Sequence, residues 1–177
     1  MRSPTEKIAY YGIIGALTIL LSAMESILMP ELPFLPPGAK PGLANIIVML
    51  TACTGSIVSV LYTVVLKSLF VFITRGASAF VMSLAGGILS AAVMMLMLKI
   101  KIREVSIAGI SVTAAVAHNM GQLVAAMILT GSPMPSVYAA ALILFGIVSG
   151  LLTGIMTEII LPKLDMAVKK IHSSEGV

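Results

Sequence analysis

The chain is predicted to fold as an all-α membrane protein, a single domain of six transmembrane helices over residues 1–177. Three observations predict it. Hydrophobic residues make up 59% of the sequence and charged residues only 10%, with no Trp, a balance outside the range of ordinary soluble domains. Between Gly42 and Leu98 only Lys67 and Arg75 carry charge, and about 20 apolar residues suffice to cross a bilayer. Prolines, a glycine flanked by hydroxyls and a basic patch then cut the apolar sequence into segments of helical length.

The first span runs from Ile8 to Met29 and stops at Pro30. Pro33, Pro36, Pro37 and Pro41 follow, and each denies a helix its backbone donor, so residues 30–41 read as a stiff, irregular loop. No small-residue cleavage site ends this span, so it is expected to be a retained helix and not a signal peptide. From Gly42 to Thr74 there are 33 residues, about 50 Å as one helix against a hydrocarbon core of about 30 Å. Two shorter helices, 42–54 and 57–74, are expected, divided at Thr54, Gly55 and Ser56, where the glycine turns the chain and the hydroxyls satisfy released backbone groups. The fourth span, 77–98, ends at Lys99, Lys101 and Arg103. Val105 to Thr130 makes the fifth. Gly131 to Ser136, with two prolines, is a turn, and Val137 to Leu161 makes the sixth before a polar tail.

Six crossings put both termini on one side. That side carries Arg2, Lys7, Lys99, Lys101, Arg103, Lys163, Lys169 and Lys170, whereas Lys40 and Arg75 lie in the opposite loops, so both termini are expected in the cytoplasm. The net charge of +4 is accounted for by this topogenic bias and by contact with anionic membrane lipid. It calls for no nucleic-acid partner.

Ionisable groups in hydrocarbon are expensive and need a purpose or a partner. Lys67 lies about two turns inside the outer end of span three, Glu25 about one turn inside span one, and Asn45 near the outer end of span two. In span five His118, Asn119 and Gln122 cluster near mid-membrane, with His118 and Gln122 on one face. These groups either converge on an outward-opening ligand cavity or serve structure. In the structural case Lys67 pairs with Glu25 or snorkels outward, and the span-five amides act as interhelical glue. Around such a cavity Lys40, Lys67 and Arg75 outnumber Glu25 and Glu31, favouring an anionic or zwitterionic small molecule. Arg75, followed by Gly76 and Ser78, either closes over the ligand or is a solvated loop arginine. Glu158 reads as a boundary charge. Gly12 with Ala16, and Gly146 with Gly150 and Gly154, allow close helix approach, either within the bundle or onto another membrane subunit. Met94, Met95 and Met97 read as adaptable packing or a partner surface.

Several chemistries are missing. No GxxxxGK[ST] segment exists, so nucleotide hydrolysis by a P-loop needs other subunits. Asp165 is the sole aspartate, so the paired carboxylates that hold magnesium on an allylic diphosphate are lacking. His118 has no carboxylate in its segment to form a triad. Cys53 stands alone and reads as a small packed hydrophobe. The chain is therefore expected to be a binding protein and not an enzyme, with no metal and no cofactor.

The stretches Lys40-Pro41-Gly42-Leu43-Ala44-Asn45-Ile46 and Ala117-His118-Asn119-Met120-Gly121-Gln122-Leu123 resemble a bacterial membrane family labelled heptaprenyl diphosphate synthase component I, also called the Gx transporter family. Six spans, a long loop after span one, small residues in span one and a lysine just before span two are similar to the substrate-binding S components of energy-coupling factor transporters. The resemblance implies a subunit in the bacterial cytoplasmic membrane that captures a small molecule from outside and works with a transmembrane coupling subunit and paired ATPases. Gly12 and Ala16 would face that partner. Lys40, Asn45, Lys67, His118, Asn119 and Gln122 would line the ligand site, which Glu25 and Arg75 join on the charge pattern above, with residues 30–41 as a gate. A flavin, a quinone precursor or an isoprenoid phosphate suits the family label. The alternative is a non-catalytic membrane subunit associated with polyprenyl diphosphate synthesis.

Overall fold

A computed structural model describes residues 4–28, 42–54, 56–100 and 105–174, with side chains as far as residue 164. The described residues form α1 (Pro4–Leu28), α2 (Leu43–Thr54), α3 (Ile57–Arg75), α4 (Ala77–Ile100), α5 (Ile107–Thr130), a 3₁₀ turn (Met134–Tyr138) and α6 (Ala139–Ser174). Small polar residues and glycines set the helix ends. Ser56 caps α3 by accepting from Ser59 N at 3.4 Å, and Ser106 caps α5 by accepting from Gly109 N at 3.1 Å, each satisfying a donor with no partner inside the helix. The carboxylate of Glu158 adds to the second cap by accepting from Ala108 N at 3.2 Å, a favourable place for negative charge. Gly76 and Gly131 close α3 and α5 with φ of +87° and +61°, where a Cβ would be strained.

Two helices outrun the sequence-based spans. α1 starts at Pro4, a good first-turn residue, with Glu6 in its first turn. α6 continues through Pro162 to Ser174, past the expected end at Leu161. Hydropathy marks where hydrocarbon ends, and a helix can run on into polar surroundings.

Five segments are long and apolar enough to cross a membrane, with α2 as a shorter apolar helix. The pattern of burial is inverted relative to a soluble protein. Ile8, Ile27, Ile73, Ile128 and Val137 are at least three-quarters exposed, while Thr18, Thr63, Ser68, Ser111 and Thr157 are buried. Large apolar side chains turned outward suit a lipid solvent, and the protein is a multi-pass membrane protein. The buried threonines satisfy their hydroxyls within their own helices, as in Thr18 Oγ1 to Ile14 O at 2.7 Å and Thr157 Oγ1 to Thr153 O at 2.8 Å, whereas Ser68 Oγ lies 3.3 Å from Ser83 Oγ on α4.

At 12 residues, α2 is about 18 Å long, shorter than the other five helices. It is packed on α1, α3, α4 and α6, and every residue from Ile46 to Ala52 is buried, so no face of it is left for lipid. Met49 and Met94, both fully buried, join Val60, Val64 and Ala114 in the main core, with Cys53, Met95 and Met97 packed against it. Helices α5 and α6 share the most extensive contact. A Cβ on Gly150 would lie 2.5 Å from Val112 Cα, and one on Gly154 would lie 2.5 Å from Ala108 Cα. Gly146, Gly150 and Gly154 therefore pack inside the bundle, where bare backbone lets two helices touch.

Candidate functional site

A cavity of about 270 Å³ opens at the end of the bundle where α2 begins and α3 gives way to α4. Its walls follow helical periodicity. Ser22, Glu25 and Ser26 face it from α1, Lys67, Phe70, Val71 and Arg75 from α3, and Ser78, Ala79, Met82 and Ser83 from α4. From α5 come Ala115, His118, Asn119 and Gln122, spaced i, i+3, i+4 and i+7 as one face requires. Gly42 and Asn45 complete it at the start of α2, and Ser149 from α6.

Lys67 and Glu25 are held by different partners. Lys67 Nζ donates to Asn45 Oδ1 at 2.7 Å, and Glu25 Oε1 accepts from Gly42 N at 2.7 Å. No direct ion pair joins the two among the described residues. Glu25, only 3% exposed, thus anchors the entry of α2 to α1. Gly42 makes that possible by adopting φ of +74°, and a Cβ there would press on Asn45 Nδ2 at 3.2 Å. The chain of contacts from Glu25 through Gly42 to Asn45 fixes the acceptor that holds Lys67. Each ion keeps unused capacity toward the cavity, because an ammonium has three donors and a carboxylate about four acceptor sites.

Arg75 lines the mouth, half-buried at the last turn of α3. It lies eight positions after Lys67, about 12 Å along the helix, so positive charge runs from rim to interior on one wall. Among the described lining residues two cations stand against one carboxylate, which favours an anion.

The opposite wall is neutral. Gln122 Nε2 lies 3.1 Å from His118 Nε2, whereas His118 Nδ1 and Gln122 Oε1 make no hydrogen bond among the described residues. If the amide donates to Nε2, Nδ1 carries the proton. If the amide is turned over, Nδ1 becomes the acceptor and the NH₂ group the donor. In either orientation the pair leaves one donor and one acceptor unused in a buried place, a state that calls for water or a ligand. The helices beneath this pair touch backbone to backbone, since a Cβ on Gly121 would lie 2.9 Å from Gly86 Cα. That contact brings His118 to the α4 wall.

Of the residues expected at a ligand site, Glu25, Asn45, Lys67, Arg75, His118, Asn119 and Gln122 all line this one cavity. Lys40 and the loop around it lie outside the described residues. Asn119 also has a structural task, donating from Nδ2 to Leu142 O at 2.7 Å and tying α5 to α6. Gly12 and Ala16 sit apart from the cavity on the exposed face of α1, with nothing within 4 Å of where a Gly12 Cβ would be. Sequence reasoning missed Ser22, Ser26, Met82, Ser83 and Ser149, while Ser78, expected beside Arg75, does line the cavity. The recurrence of Thr18, Ser22, Glu25 and Ser26 on one face of an apolar helix was the available signal. Among the described residues no group of three or more His, Cys, Asp or Glu gathers to hold a metal ion.

No curated protein and no solved structure matches the chain. The family described as heptaprenyl diphosphate synthase component I matches residues 14–160, a stretch that includes every described cavity residue from Ser22 to Ser149. The chain belongs to the heptaprenyl diphosphate synthase component I family.

Proposed function

We propose that this protein is the membrane-embedded binding subunit of a small-molecule transporter, taking an anionic solute into the cavity between Lys67, Arg75 and the His118–Gln122 pair. The observation that carries the reading is Lys67: a half-buried ammonium on the cavity wall, held by a neutral amide instead of a carboxylate, has charge left to offer, and charges taken out of water are otherwise paired. Glu25, Asn45, Arg75, His118, Asn119 and Gln122 take part in the same site. The chain holds no P-loop, so energy comes from partners, a transmembrane coupling subunit with ATPases as in energy-coupling factor transporters. Gly12 and Ala16, small and exposed on α1, supply a face for that subunit. Both termini lie in the cytoplasm of a bacterial cell, and the cavity opens outward.

The family description favours a second reading: a non-catalytic membrane subunit that holds an isoprenoid product or substrate for a soluble prenyl diphosphate synthase. Purification of the tagged chain from its own membranes in mild detergent separates the two. Recovery of a multi-pass partner together with P-loop ATPases is the expected outcome. Recovery of a soluble prenyl diphosphate synthase, with activity dependent on this chain, would overturn the transport reading in favour of the second.

A further inference from the structure

Beside the polar cavity lies a second, mostly apolar cleft of about 440 Å³ between α4, α5 and the 3₁₀ turn. Ser78 and Met82 line both spaces, so these two side chains form the wall between them. The two are tied again on the other side, where Asn119 of the polar cavity donates to the backbone oxygen of Leu142, which lines the cleft. Along α5 the change of character takes one residue, with Gln122 on the polar cavity and Leu123 and Ala126 on the cleft. Leu123 and Leu142 make a buried floor, whereas Leu129, Met134 and Tyr138 are 47%, 73% and 44% exposed at the rim. The cleft therefore opens toward the surroundings of the bundle.

A polar chamber with a cationic wall, divided only by Ser78 and Met82 from an apolar cleft, matches one kind of molecule. We propose that the ligand is a single-chain amphiphile with a phosphate or carboxylate head, the head in the polar cavity and the apolar chain passing Met82 into the cleft. The inference rests on reading the polar cavity as a ligand site, and it narrows that reading to lipid-like anions. Methionine suits the junction because its unbranched thioether changes rotamer at little penalty. The head cavity alone falls just below the usual size of a ligand pocket, about 300–1,000 Å³, so a bulky polar ring system would overfill it, whereas an anionic head with its chain lodged elsewhere would not.

The test compares head and chain in one detergent, so that partition of the chain into micelles cancels. Binding of methyl phosphate, geranyl phosphate and geranate is measured for the purified chain and for two variants, Met82→Trp at the junction and Ala126→Phe within the cleft. Both variants are expected to weaken geranyl phosphate or geranate, whichever binds the parent chain, by about tenfold or more, since each buried methylene is worth roughly fourfold. Methyl phosphate affinity should be unchanged in Ala126→Phe, which lies away from the head cavity. The comparison of phosphate with carboxylate identifies the head. Equal loss of methyl and geranyl phosphate in Ala126→Phe, or no loss of the long-chain molecule in either variant, would overturn the amphiphile while leaving an anion site. Failure of every molecule to bind the parent chain would overturn the anion site itself.

Discussion

Replacing Lys67 with methionine is expected to weaken binding of geranyl phosphate by about 10- to 100-fold while the chain stays folded. The magnitude follows from hydrogen bonds to a charged group, about 1.5–3 kcal/mol each, at about 1.4 kcal/mol per factor of ten. Folding should survive because methionine keeps most of the length and apolar bulk of the lysine stem. The contact given up is the 2.7 Å bond to Asn45 Oδ1, and Asn45 lines the same polar cavity, where water can take the vacated place. Lys67→Arg should retain part of the affinity, since charge is kept while the shape of the donor changes. Isothermal titration of both variants, with circular dichroism to check helix content, decides the matter. Equal affinity in the parent chain and Lys67→Met would remove Lys67 from the site.

Gly150→Ala is expected to destabilise the bundle by about 1–3 kcal/mol, the usual penalty for overpacking a tight contact. The new Cβ would meet Val112 Cα at 2.5 Å and Val112 N and Ser111 O at 2.9 Å. All three are backbone atoms, so relief requires α5 and α6 to move apart. Gly12→Ala makes the same chemical change where nothing lies within 4 Å, and should leave stability unchanged or slightly raised, because alanine is the better helix former. Thermal unfolding of the two variants in one detergent tests the difference. Equal Tm values would mean that the α5–α6 contact is looser than the glycine geometry requires.

The fold class was legible because hydropathy and prolines act locally. Pro30 closes span one, and the composition of 42–74 demands a break whatever its neighbours do. Helix ends were less legible: Pro4 and Pro162 sit outside or at the edge of the apolar runs, and the backbone there follows helical hydrogen bonding rather than hydropathy. The short α2 could be counted from sequence, but its burial on every side depends on α1, α3, α4 and α6 meeting around it.

For the site, Lys67 stood out because an ammonium in an uncharged run must be held by something, and His118 with Gln122 because four residues on a helix share a face. Their partners were not legible. An ion pair between Lys67 and Glu25 was an equally valid expectation, and only the positive-φ turn at Gly42, which delivers its N–H to Glu25, sends Lys67 to Asn45. Ser22 and Ser26 escaped notice because buried serines in apolar helices usually satisfy themselves, as these do by bonding to Thr18 O at 2.7 Å and Ser22 O at 3.0 Å. Met82 and Ser83 lie on a helix with no distinct polar face, so which side meets the cavity is decided by the Gly86–Gly121 contact with α5. Gly121 was conspicuous beside His118, but nothing in the order of residues pairs it with Gly86.

Native mass spectrometry of the chain purified in mild detergent, with identification of any retained small molecule and a parallel sample of Lys67→Met, tests the ligand site most directly. One anionic amphiphile bound per chain, and lost from Lys67→Met while helix content and Tm are kept, is the expected result. A bare chain in both samples, or the same lipid retained equally by both, would contradict a ligand site at Lys67.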